Sequence, residues 1–147
     1  MDLLLEHAVK IALTALGGTA VGLRGRNVLP GLSLLTFPLI GLAACLIMLV
    51  SLHPIWEPVL GMAGDNALVV AATLGVIGAA VILGQGGSAA AILAATALWI
   101  AGILGIAFGV GLFLEGTLVM LFAYVALGLV APPPDEAAGD LEKPAGE

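Results

Sequence analysis

The chain has 147 residues, and 61% of them are Ala, Val, Ile, Leu, Met, Phe, Trp, Tyr or Cys before its 21 glycines are counted, against about 45–50% with glycine included for a soluble domain. A globule of this size buries only about 70% of its unfolded surface and cannot hide so much apolar side chain from water, so a soluble fold is excluded. Four basic against ten acidic residues leave a net charge of −6, which argues against a nucleic-acid partner, since that needs clustered Lys and Arg to neutralise phosphates.

Crossing a hydrocarbon core of about 30 Å takes roughly 20 apolar residues per helix, and backbone facing lipid must satisfy its own hydrogen bonds. The reading is therefore all-α, a polytopic transmembrane helix bundle of five spans, with four as the alternative count. A first span covers 3–23 and stops at Arg24-Gly25-Arg26-Asn27. Asp2, Glu6 and His7 stand where a secretory signal would carry basic residues, so this segment is expected to be retained. A second span covers 30–52, with Pro30 suited to a first helical position and Pro38 predicted to break one interior hydrogen bond and kink the helix. Residues 53–66 contain Pro54, Pro58, Gly61 and Gly64 and read as an extramembrane loop, with Trp56 at the membrane interface. A third span, 67–83, is broken by Gly84-Gln85-Gly86-Gly87. The fourth, 88–110, starts at Ser88 as a cap and closes at a reversal marked by Gly109 and Gly111. The fifth, 112–131, carries Glu115 in its first turn, at the positive end of the helix dipole, and ends at Pro132-Pro133-Pro134. Residues 1–131 thus form the membrane domain. Residues 132–147, with five acidic residues and one Lys, form an acidic tail too polar to pack and expected to be disordered.

Helices in lipid associate through close packing, which small residues at every fourth position permit. Three such rows are present: Thr14, Gly18 and Gly22; Ala71, Gly75 and Ala79, with Gly78 beside them; and Ala97, Ala101, Gly105 and Gly109. Gly105 and Gly109 are expected to meet the third span through Gly75 and Ala79. Glu6 and Lys10, four residues apart, form an intramembrane ion pair on one face of the first span, with Lys10 snorkelling from its outer end. His7, His53, Glu57, Asp65 and Glu115 are the weak metal-ligand candidates. A hard cation needs several converging oxygens, and no spacing here is diagnostic, so a solvated loop is the favoured account. Cys45, the single cysteine, reads as a small core residue. Nothing matches a catalytic triad, a zinc motif or a phosphate loop, so no catalytic residue, no cofactor and no enzyme activity are expected. Arg24 and Arg26 place the end of the first span in the cytoplasm, hence the N-terminus outside and the tail inside.

From Gly75 onward the sequence resembles a known membrane family. The run from Gly75 to Leu83, then Gly86-Gly87-Ser88, Leu98-Trp99, Leu104-Gly105-Ile106-Ala107, Gly109 and Gly111-Leu112 are similar to the MgtC/SapB family, and Gly18 to Leu23 and Pro30-Gly31-Leu32 follow it more faintly. The likeness covers most of residues 10–131. It keeps helix-packing positions and departs at polar ones. Arg24-Gly25-Arg26 stands for an acidic turn, Ser33 and Leu34 for Arg and Thr, Asp65 and Val69 for Arg and Gln, and Ala90 for an Arg. The resemblance implies a bacterial inner-membrane protein associated with Mg²⁺ homeostasis, in a short form without the soluble C-terminal domain of longer members. Two functions are weighed. One is a non-catalytic protein that modulates ion homeostasis or partner membrane proteins, its contacts being the lipid bilayer, other membrane proteins or further copies of itself. The other is a channel or carrier subunit for a small cation or uncharged solute. An ion path needs inward polar groups, and only Ser33, Thr36, Ser51, Thr73, Gln85, Ser88 and Thr96 could supply side-chain oxygens from the charge-free stretches, which favours the first.

Overall fold

The computed structural model describes residues 2–25, 33–53 and 63–130, and these form five helices and no strand. They are α1 (Asp2–Gly25), α2 (Thr36–Ser51), α3 (Ala63–Gly84), α4 (Ala89–Val110) and α5 (Phe113–Val130). Expected features at Pro30, Glu57 and the 132–147 tail lie outside the described residues. Three helices are long and apolar enough to cross a membrane: Leu3–Arg24, Gly64–Gly84 and Ala89–Val110. The other two are shorter, and α2 with 16 residues reaches only about 24 Å at 1.5 Å per residue.

Helix ends follow local chemistry. Ser88 caps α4, its hydroxyl accepting from Ala91 N at 3.1 Å. The chain leaves α3 with Gly87 N donating to Ile82 O at 2.8 Å and Gly86 N to Leu83 O at 3.2 Å. It leaves α4 the same way, through Leu112 N to Ala107 O at 2.8 Å and Gly111 N to Phe108 O at 3.1 Å. In both closures the pivot has positive φ, +67° at Gly86 and +93° at Gly111, a conformation glycine adopts without a Cβ clash.

Three boundaries differ from the sequence expectation. Pro38 is not interior: α2 begins at Thr36, so Pro38 sits in its first turn, where no ladder bond exists to be lost. Gly64, Asp65 and Asn66, read as loop, already belong to α3, with the Asp65 carboxylate in a first turn that the helix dipole favours. Arg24, read as part of the turn, remains in the last turn of α1. Its guanidinium stacks 5.3 Å from the Tyr124 ring centroid.

The helix α4 is the centre of the bundle. It touches all four others, and 56% of its span is buried, against 28% for α1 and 17% for α3. Leu104 and Phe108 face α1 across Gly17, and Phe108 also meets Gly116 of α5. Around them pack Val21, Phe37, Leu98 and Leu127. Residue pairings set the helix directions. Thr14 lies beside Gly41 and Gly18 beside Pro38, so α1 and α2 are antiparallel; Gly78 meets Ala95 and Gly102 meets Leu74, so α3 and α4 are antiparallel. Gly17 meets Met120 and Gly128 meets Arg24, so α1 and α5 run the same way. The five helices therefore alternate in direction. Glu6, His7, Lys10, His53, Asp65 and Glu115 gather at one end, and Arg24 and Gln85 at the other.

Candidate functional site

The closest backbone approach is a seam between α2 and α4. A Cβ on Gly105 would overlap the Gly41 carbonyl oxygen, and one on Gly109 would stand 2.8 Å from Met48 Cβ and 3.1 Å from the Cys45 carbonyl oxygen. The Ala101 carbonyl oxygen lies 3.0 Å from where a Cβ of Gly41 would be. The α1 row joins the same partner. Gly18 leaves 2.6 Å to Pro38 Cα for a Cβ, and Gly22 leaves 2.9 Å to the Phe37 ring. The partner of the Gly105 and Gly109 row is thus α2 and not α3. Gly75 has open space where a Cβ would be, and Ala79 is exposed. Of that α3 group Gly78 meets α4 at Ala95, and Leu74 fills the place beside Gly102. The reason is size at the crossing: Leu74 holds α3 a side chain away from α4, whereas Gly41 lets α2 come to backbone contact. The sequence signal for α2 is Gly41 and Cys45, two small residues four apart.

At the polar end Lys10 pairs with Glu6, Nζ to Oε1, at 2.7 Å. Lys10 does not snorkel. Its side chain is only 7% exposed while Glu6 is 52% exposed, and its ammonium turns inward to the end of α4, 3.9 Å from the Cβ position of Gly111. The carbonyl end of a helix attracts a cation, so the charge is held by α4 on one side and by a hydrated carboxylate on the other. Asp65 and Glu115 are exposed in the first turns of α3 and α5. Glu57 lies outside the described residues. Among the described residues no three His, Cys, Asp or Glu converge. His7 and His53 line a common cavity between α1 and α2.

Helix hydroxyls are turned onto their own backbone. Thr14, Thr19, Ser51, Thr73, Thr96 and Thr117 each donate to the carbonyl four residues earlier, at 2.7–2.9 Å. The buried polar residues among those described are Lys10, Thr14 and Ser51, and each has a partner on α1 or α2 itself. Among the described residues this interior is suited to helix contact. No curated protein and no solved structure matches the chain. The model of the MgtC family matches residues 9–133, which takes in α2 to α5 and α1 from Val9 onward, with the seam between α2 and α4. A match over most of the chain, on the glycine-bearing helices that build the fold, settles the family: the chain belongs to the MgtC family, a family of membrane proteins.

Proposed function

We propose that this protein is a five-span inner-membrane protein that acts without catalysis, by helix contact with other membrane proteins or with further copies of itself, in the service of Mg²⁺ homeostasis. Family membership supports the link to Mg²⁺. The observation that carries the contact reading is the uneven use of small residues. The rows of α1 and α4 are filled by α2, whereas Ala71, Gly75 and Ala79 line a largely open face of α3, the least buried of the long helices. Beside that row, between α3 and α4, runs a groove of about 340 Å³ bounded by Gly75, Ala79, Ile92 and Trp99. A row of small residues lets another membrane helix approach closely, and the bundle itself makes little use of this one. The inward hydroxyls, bonded to their own helices, speak against a polar path through the centre.

The test pairs two assays on tagged protein in mild detergent. A membrane protein, or a second copy, should co-purify with the parent and be lost from Gly75→Leu while the variant stays folded. Selective Mg²⁺ flux into proteoliposomes containing the purified chain alone would overturn the contact reading in favour of a channel or carrier subunit.

A further inference from the structure

His7 and His53 are 46 positions apart in sequence, and both stand outside the packing seam of α2 and α4. Both line one cavity of about 260 Å³, whose other walls are Ile11, Leu46, Leu49 and Val50. The antiparallel register explains the meeting. Thr14 lies beside Gly41, Gly18 beside Pro38 and Gly22 beside Leu34. Continued toward the polar end, the same register sets His7 opposite Leu49, and His53 follows one turn later, about 6 Å along the axis at 1.5 Å per residue. Two imidazoles from adjacent helices thus line one open groove with aliphatic walls, of which Ile11 and Leu46 are exposed. The neighbouring carboxylate is not free to join them as a first choice, because Glu6 is held by Lys10 at 2.7 Å. The same end carries exposed Asp65 and Glu115, which raise the local concentration of cations.

The donor set selects the ion. Mg²⁺ and Ca²⁺ demand oxygen ligands, whereas imidazole nitrogen suits Zn²⁺, Cu²⁺ and Ni²⁺. We infer that His7 and His53 form a two-imidazole site for a divalent d-block cation at the polar end of α1 and α2, open to water in its remaining positions and indifferent to Mg²⁺. With no third His, Cys, Asp or Glu joining them among the described residues, binding is weaker than at a closed four-ligand zinc site. An ion held there ties the start of α1 to the end of α2.

The experiment uses the full chain without a polyhistidine tag, in mild detergent, washed with chelator and then dialysed against Zn²⁺. One Zn²⁺ should bind per chain, an excess of Mg²⁺ should not displace it, and His7→Gln and His53→Gln should each weaken binding by about tenfold or more. X-ray absorption of the zinc-loaded parent keeps the test independent of how the variants fold, and it should show two imidazole nitrogens at about 2.0–2.1 Å. Absence of Zn²⁺ binding to the parent, parent-like binding by either variant, displacement by Mg²⁺, or fewer than two imidazoles on the metal would each overturn the inference.

Discussion

A single methylene decides the seam at Gly105. Its missing side chain is the space that the Gly41 carbonyl occupies, while the missing side chain of Gly75 leaves open room. Overpacking a filled site costs about 1–3 kcal/mol, so Gly105→Leu and Gly109→Leu should melt well below the parent in detergent, and Gly75→Leu should melt with it. Equal melting of all three would mean that α2 and α4 do not pack as described. The Glu6–Lys10 pair gives a second test, of order and not of size. The ammonium is covered and the carboxylate is half exposed, so removing the carboxylate strands a buried charge, whereas removing the ammonium leaves an acid that water can solvate. Glu6→Gln should therefore lower the melting temperature more than Lys10→Met, and the reverse order would place Lys10 in water.

The helices differ in how firmly they are held. Apolar run length sets that each of them forms, but burial separates them: α4 is enclosed by the rest, whereas α3, which meets α4 through residues such as Leu74 and Gly78, keeps most of its surface outside the bundle. Between α3 and α2 a groove of about 220 Å³ remains, with Ile40, Ile47, Val70 and Ile77 among its walls. Local opening is easiest where few apolar contacts must be broken. Amide exchange of protein in nanodiscs should thus be slowest in 94–108 and faster in the middle of α3 at equal membrane depth. Equal protection of the two would show that α3 is clamped by more than this bundle supplies.

In the whole molecule the alternation of five helices puts the end of α1, the α3–α4 turn and the end of α5 together, opposite the end of α2 and the start of α3. Arg24 sits at the first of these ends, and Lys/Arg excess marks the cytoplasmic face. Reporter fusions after Asn27, after Gln85 and at Glu147 should report cytoplasm, and a fusion at His53 the outside. A fusion at Glu147 that reports the outside would remove one span from the bundle and with it the parallel pairing of α1 and α5 that brings Arg24 to Tyr124 and Gly128.

Much of this was legible without coordinates, for reasons that are local. Helix existence, the Ser88 cap, the glycine closures at Gly86 and Gly111 and the Glu6–Lys10 pair depend on residues within one or two turns of each other, so spacing alone determines them. Pro38 escaped because a boundary a few residues away decides whether proline breaks a ladder bond or starts a helix. The partner of Gly105 and Gly109 was beyond the sequence, since several rows of small residues compete for one crossing and only the joint packing of five helices awards it to α2, leaving the Gly75 row open. The same holds for the direction of Lys10 and for the meeting of His7 with His53. Both depend on which residues of other helices stand opposite, and that register exists only once the bundle has closed.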